Sequence, residues 1–153
     1  MPRISDIAVF QQLEQNTLCI PATARVQDLP KLIGESYAKL ARHLESLGAL
    51  MADVPFVAFH NMDMQRLEVE IGFVVPAPLP GKDDIQPRRI AACKAAVCMY
   101  RGPYREVEPV YHEMARWISQ QGYQLAGGSY EYYYNSPNVP ESDLLTKIVL
   151  PLK

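Results

Sequence analysis

Residues 33–48 read IGESYAKLARHLESLG, and residues 107–122 read VEPVYHEMARWISQQG. In each segment the apolar side chains recur at the three- and four-residue spacing that places them on one face of an amphipathic helix. Each segment ends at a glycine, the residue most often found just beyond the end of a helix. The two segments follow one pattern at a shift of 74 residues, from 33 to 107. This shift predicts an internal duplication.

The segments around these helices extend the duplication. Leu67–Val75 alternates apolar and other residues with the period of two that is typical of a half-buried strand. The 74-residue shift carries Cys19 onto Cys93 and Phe59 onto Tyr133, and a shift of 75 carries 73–76 onto 148–151. Further strands are predicted at 7–20, 56–60, 90–100, 129–135 and 145–150. The order β-α-β-β occurs twice. It predicts an α+β fold of tandem duplicated βαββ units with pseudo-two-fold symmetry, an antiparallel sheet and two main helices on one face.

The two repeats are expected to form a single domain that spans residues 1–153. Repeat 1 covers about 5–76 and repeat 2 about 88–153, with a proline-rich connector at 76–87 whose residues 76–84 read PAPLPGKDD. Each repeat has about 70 residues and one helix, which is too little to cover both faces of a sheet on its own.

Composition excludes several classes of protein. With 15 Lys and Arg against 17 Asp and Glu, the 153-residue chain lacks the basic charge of a nucleic-acid binder. No apolar run reaches the ~18–20 residues of a membrane span, and the N-terminus is not a signal peptide, so we expect a cytoplasmic protein. The three cysteines and three histidines have no metal-ligand spacing, and phosphate-loop, dinucleotide and Gly-x-Ser-x-Gly motifs are missing. We therefore expect neither a metal nor a cofactor.

Residues 127–135, GGSYEYYYN, contain the candidate functional residues. Strand alternation places Glu131 and Tyr133 on one face, and the tyrosines at 130, 132 and 134 on the other. The 74-residue shift aligns Glu131 with Val57. If that face is directed toward the helices, Glu131 replaces a core residue, and a buried carboxylate costs several kcal/mol unless it is paired. The alternative is that Glu131 points to water and the tyrosines are simply good strand formers. The opposite face is either a dimer surface or a solvated sheet face.

The order of several motifs resembles the GyrI-like family, also called the AraC-type bacterial effector-binding domain. The motifs are Arg101-Gly102-Pro103-Tyr104, Tyr111 and Trp117 on the second helix, Gly122, the Glu131 and Tyr133 pair, and TKIVLPLK at 146–153. The resemblance implies a tandem βαββ fold, in agreement with the duplication. It also implies a cavity near the pseudo-two-fold seam that binds hydrophobic, aromatic and often cationic small molecules. Glu131 would supply the negative charge and Tyr133 would contact the ligand, with Phe59, Tyr37, Tyr111 and Trp117 in the cavity wall.

The resemblance favours a ligand-binding protein over an enzyme. Such a protein would sense or sequester small molecules, with the broad specificity of multidrug recognition. One alternative is a hydrolase of electrophilic toxic compounds in which Glu131 is the general base and Tyr133 assists. Another is a protein-interaction inhibitor of the DNA gyrase inhibitor type. Family members that regulate transcription carry a separate helix-turn-helix domain, and no such segment occurs here. We therefore expect a stand-alone member without direct DNA or membrane binding, and a homodimer is an option.

Overall fold

The computed structural model of the protein describes residues 3–135 and 138–153. The elements in chain order are β1 Ala8–Gln12, β2 Gln15–Ala24, α1 Leu29–Leu47, β3 Pro55–Phe59, β4 Leu67–Val75, β5 Gln86–Ile90, β6 Cys93–Arg101, α2 Glu108–Gln120, β7 Ser129–Tyr133 and β8 Leu145–Pro151. This arrangement of antiparallel strands and two helices confirms the predicted α+β class.

Both helices end where the sequence predicts. Gly48 follows α1 with a φ of 66°, and Gly122 lies just beyond α2 with a φ of 82°. Both values fall in the left-handed region that favours glycine, because a side chain there would clash with the backbone. A short 3-10 turn, Tyr104–Glu106, leads into α2. Within the described residues, no helix is long and apolar enough to span a bilayer.

The described chain forms two compact units, and each unit has its own core. The first unit is Leu13–Ala92, with strand order β3-β4-β2-β5 and helix α1. The second unit consists of the described residues among 1–12 and 93–153, with strand order β1-β6-β8-β7 and helix α2. The core of the second unit contains Ile7, Ala96, Cys98, Tyr100, Val110, Met114, Ile118, Ile148, Leu150 and Leu152. The core of the first unit contains Leu18, Ile20, Leu40, Leu44, Phe73, Val75 and Ile85.

The boundaries of the units differ from the repeat boundaries predicted at 5–76 and 88–153. The predicted strand at 7–20 is two strands, and β1 pairs with β6 in the second unit, whereas β2 pairs with β4 in the first. The predicted strand at 90–100 corresponds to β6, and the residues before β6 form β5, which pairs with β2 in the first unit. Each unit thus takes its outer strand from beyond the predicted boundary. The sequence did not predict this, because hydrogen-bond pairing between distant segments leaves no periodic pattern in it.

The predicted equivalence of Cys19 and Cys93 is wrong. Cys19 lies in the middle of β2, where it pairs with Gly72 and is 1% exposed. Cys93 is the first residue of β6 and pairs with Gln12 at its end. The constant shift describes the helices, but the strands before them have a different register because the intervening turns differ in length.

The register of β7 also differs from the prediction. In the first unit Phe73 pairs with Pro55, and in the second unit Ile148 pairs with Glu131. With Phe73 equivalent to Ile148, as the shift of 75 predicts, Glu131 corresponds in register to Pro55 rather than to Val57, a difference of two residues. Because two residues make one full pleat, this difference leaves Glu131 on the predicted face of the strand.

Tyr132, on the opposite face of β7, is buried. It is 3% exposed, and the Nζ atom of Lys147, its pairing residue on β8, lies 4.6 Å from the centre of its ring. This is a cation–π contact within the second unit. Neither the dimer surface nor the solvated face predicted for this side describes Tyr132, although Tyr134 is 40% exposed.

Gly72 lies in a closely packed part of the first unit. A Cβ atom at this position would lie 2.8 Å from Cys19 Sγ, 2.8 Å from the Leu18 carbonyl oxygen and 2.9 Å from Phe56 Cζ. We expect Gly72→Ala to lower the free energy of unfolding by about 1–3 kcal/mol in urea unfolding, since overpacking forces neighbours to move. Gly34→Ala is the matched control: nothing lies within 4 Å of that Cβ, and alanine in α1 should stabilise by about 0.5–1 kcal/mol. Equal effects at both sites would show that Gly72 is not closely packed.

Candidate functional site

Glu131 lies in the middle of β7 and is 7% exposed. It pairs with Ile148 on β8, which pairs with Cys98 on β6, so the three side chains share one face of the sheet. Cys98 and Ile148 belong to the core that packs against α2, and Cys98 Sγ lies 3.4 Å from Met114 Sδ on that helix. Of the two sequence alternatives, Glu131 follows the one that buries it.

Two tyrosines donate hydrogen bonds to the buried carboxylate, one to each oxygen. The Tyr111 hydroxyl, from α2, donates to Glu131 Oε2 at 2.5 Å. The Tyr133 hydroxyl, two residues further along β7 on the same face, donates to Oε1 at 2.9 Å. Ser129 is also buried, and its Oγ lies 3.4 Å from the Tyr111 hydroxyl. A helix and a strand thus converge on one carboxylate, which is the kind of charge-assisted hydrogen bonding that holds a carboxylate in place.

Tyr111 occupies a helix position that both units share. At the equivalent position of α1, 74 residues earlier, the Tyr37 hydroxyl donates to the Phe56 carbonyl oxygen at 3.1 Å. In both units a tyrosine on the inward stripe of the helix reaches the neighbouring strand. Only in the second unit does that strand offer a carboxylate. The tyrosine at this helix position therefore donates to a backbone carbonyl in the first unit and to a side-chain carboxylate in the second.

Burial dominates the electrostatics of Glu131. Loss of hydration raises the pKa of this carboxyl above its ordinary value, and the hydrogen bonds from Tyr111 and Tyr133 oppose that rise. Among residues 3–135 and 138–153, no Lys, Arg or His forms an ion pair with Glu131. The ionised carboxylate is therefore solvated by neutral donors without being neutralised.

The neighbouring tyrosines remain protonated. Burial, followed by the charge of Glu131, raises the pKa of Tyr111 well above its ordinary range. The same two causes raise the pKa of Tyr104. Because a phenol that stays protonated remains a donor, Tyr111 can stabilise negative charge on Glu131 over the whole physiological range.

Tyr104 is a site residue that sequence patterns alone do not select. Its ring meets the ring of Tyr133 edge to face, with 5.0 Å between centroids, and it is 43% exposed. Gly102, with a φ of 141°, allows the turn before it, since a Cβ there would lie 2.8 Å from the Tyr100 hydroxyl oxygen. That hydroxyl donates to the Pro103 carbonyl oxygen at 2.6 Å. The motif at 101–104 supported the family resemblance, but only the structure of the turn shows that Tyr104 lies against Tyr133.

The remaining predicted residues have other surroundings. Trp117 on α2 is partly buried against the core of the second unit. Tyr37 and Phe59 belong to the first unit, where the Tyr37 ring lies 5.5 Å from that of Phe73 and Phe59 pairs with Val69 at the end of β3. The structure thus groups Glu131, Tyr133 and Tyr111 directly. The ligand-binding roles of all six residues stay predictions.

Metal ligands do not converge in the described part of the chain. No group of three or more His, Cys, Asp or Glu side chains among residues 3–135 and 138–153 could hold a metal ion. Cys19 and Cys98 are free and buried, and burial raises the pKa of each thiol to about 11. These thiols are therefore protonated core side chains at neutral pH.

The fold is similar to several solved structures. The EcmrR C-terminal domain has a TM-score of 0.80 and 18% sequence identity, and the alignment covers 98% of each chain. A hydrolase from Listeria innocua has a TM-score of 0.75 at 15% identity, covering 100% of this chain and 94% of that one. SAV2435 bound to tetraphenylphosphonium has a TM-score of 0.63 at 13% identity, covering 97% and 94%. At these identities the likeness concerns the fold alone.

No curated protein matches the sequence. The chain spans 57% of the EcmrR chain in the EcmrR–DNA complex.

The sequence itself identifies the family. Residues 19–153 match the model of the family described as "GyrI-like small molecule binding domain". This match confirms the resemblance inferred from the sequence motifs, and the chain belongs to the GyrI-like family.

Proposed function

We propose that the protein binds hydrophobic aromatic cations at Glu131 and senses or sequesters them. The observation that carries this proposal is a buried carboxylate whose two oxygens accept hydrogen bonds from neutral phenols, with no ion pair to a cation among the described residues. Burial disfavours the charged form of this group, and no Lys, Arg or His of the described residues balances it, so a cation from outside would match it.

The aromatic side chains around Glu131 favour a diffuse cation over a compact one. A bulky organic cation spreads its charge and loses little hydration on burial, whereas an ammonium ion loses much more. The rings of Tyr133 and Tyr104, 5.0 Å apart, offer faces and edges for cation–π and stacking contacts. Aromatic walls also accept ligands of varied shape, which supports a broad range of ligands.

A relative of the same fold gives this ligand class independent support. SAV2435 has been described bound to tetraphenylphosphonium, a cation surrounded by four phenyl rings. Tyr104 is the exposed member of the cluster, so its ring is available to a ligand that approaches from solvent.

Hydrolysis is the second candidate function. A carboxyl whose pKa is raised, beside a phenol at 2.9 Å, is the pair of groups that general base catalysis uses. The structure of a Listeria innocua hydrolase shares the fold. Binding is favoured because both carboxylate oxygens already accept hydrogen bonds, which weakens Glu131 as a base toward water. Turnover of an electrophilic small molecule by wild type but not by Glu131→Gln would reverse this preference.

The Glu131 charge is tested by binding of tetraphenylphosphonium to wild type and to Glu131→Gln, measured by calorimetry. We expect the substitution to weaken binding about 30-fold or more, because losing one charge of a buried pair costs ~2 kcal/mol or more. Glu108→Gln is the matched control: it removes the same charge from an exposed side chain on α2. The proposal fails if both substitutions weaken binding alike, or if wild type does not bind.

The two tyrosine donors are tested by Tyr111→Phe and Tyr133→Phe. Each removes a hydrogen bond that lowers the pKa of Glu131, so this pKa should rise further and less carboxylate should be ionised. We expect weaker tetraphenylphosphonium binding in both variants, with the loss greatest at acidic pH and smaller as pH rises. Tyr134→Phe removes a hydroxyl from an exposed side chain just beyond β7 and should bind like wild type. A loss that does not depend on pH would contradict this role.

The raised pKa of Glu131 also predicts how stability depends on pH. Because the folded-state pKa lies above the ordinary value of 4.5, the stabilisation from this group is complete below 4.5 and is lost as pH rises through the folded-state pKa. As pH rises from 4.5 through the folded-state pKa, the free energy of unfolding of Glu131→Gln should therefore increase relative to that of wild type. The increase should reach up to about 1.4 kcal/mol per unit of pKa shift. Urea unfolding across the pH range measures the difference. A gain in the opposite direction would mean that the folded protein prefers the ionised carboxylate.

A further inference from the structure

A second polar group lies buried beside this site. Thr146 on β8 is fully buried, and its Oγ1 has no hydrogen-bond partner among residues 3–135 and 138–153. The one other buried side-chain atom of this kind in the same residues is Nδ1 of His43, in the first unit. Proteins seldom leave a buried hydroxyl unpaired, because it has lost its bonds to water and gained none.

Thr146 shares the sheet face of Glu131. It pairs directly with Tyr133 on one side and with Tyr100 on the other. Because Glu131 lies two residues before Tyr133 on β7, Thr146 and Glu131 are diagonal neighbours across β7 and β8. Tyr133 also donates its hydroxyl to Glu131. Diagonal neighbours on one face are about 7–8 Å apart, which is close enough for one small molecule to meet both.

The fold does not require a hydroxyl at this position. In the first unit the register position equivalent to the Tyr133 and Thr146 pair is the pair of Val57 and Ile71, two residues from the Pro55 and Phe73 pair. Val57 and Ile71 are both fully buried. An apolar side chain therefore satisfies the same strand position, and the polar one in the second unit is not explained by packing.

We propose that Thr146 is a specificity-determining residue of the ligand site, and that the ligand carries a hydrogen-bonding group in addition to its cationic aromatic part. This inference rests on the proposed binding of cations at Glu131. A threonine hydroxyl both donates and accepts, so the matching group on the ligand is a hydroxyl, a carbonyl or an amine. The ligand would pair its charge with Glu131 and this group with Thr146.

Tetraphenylphosphonium and its hydroxylated derivatives separate these two contacts. Tetraphenylphosphonium has no hydrogen-bonding group, whereas the three isomers of (hydroxyphenyl)triphenylphosphonium add one hydroxyl at the ortho, meta or para position. We expect wild type to bind at least one isomer roughly three- to tenfold more tightly than the parent cation, the range of one net hydrogen bond. Thr146→Val should abolish this preference and leave the affinity for the parent cation unchanged. Thr146→Ser, which keeps the hydroxyl, should retain the preference.

Each other outcome overturns the inference. If no isomer binds wild type more tightly than the parent cation, the hydroxyl does not meet the ligand. If the preference persists in Thr146→Val, another group provides it, and if Thr146→Val weakens all four cations alike, the role is packing. If the parent cation and the isomers fail to bind wild type at all, the proposed function fails together with the inference. Thermal unfolding of both variants in the absence of ligand verifies that each is folded.

Discussion

The hydrogen-bond register between β7 and β8 determines which side chains meet in the second unit. Side chains alternate along a strand, so a slip of one residue would turn Glu131 away from the core and bring Tyr132 into it. The observed register places Glu131 opposite Ile148 and under the Tyr111 hydroxyl of α2. The cation–π contact between Lys147 and Tyr132 on the reverse face stabilises the same register. The candidate site is therefore a product of strand pairing, and the loops contribute only its outer edge.

The burial of Glu131 costs free energy of folding that an apolar residue at the same position would not cost. In the first unit the equivalent strand positions hold Pro55, Val57 and Ile71, which need no polar partner. The second unit carries a carboxyl and a hydroxyl on this face, and the free energy of folding of a small domain is only about 5–15 kcal/mol. Under the proposed function, occupancy of the site and stability of the fold would be linked, because a bound cation would stabilise the charged carboxylate and with it the folded state.

The sequence predicted the helices and their glycine ends, because these features follow from local periodicity. It left burial and exposure of Glu131 as alternatives, because strand alternation shows which residues share a face but not which face is covered. It also predicted the duplication, with shifts of 74 and 75 residues, and the strands before the helices did not follow them. The pairing of β1 with β6 and of β5 with β2 depends on contacts between distant segments, for which neither residue type nor spacing is diagnostic. The same reason explains the site residues that were missed. Tyr104 and Thr146 are ordinary in sequence, and only the turn and the strand register place them beside Tyr133.

The turn that carries Tyr104 has a consequence for the rate of exchange at the site. Its backbone is fixed by hydrogen bonds from Gly102 N–H to the Leu144 carbonyl at 2.9 Å, from the Tyr100 hydroxyl to the Pro103 carbonyl at 2.6 Å, and from Glu106 N–H to that same carbonyl at 3.1 Å. With the backbone held, rotation of the Tyr104 side chain is enough to break its contact with the Tyr133 ring. Such rotation takes picoseconds to nanoseconds for exposed side chains, whereas loop opening takes microseconds or longer. Under the proposed function, Tyr104 would then not impose a slow gate on ligand exchange.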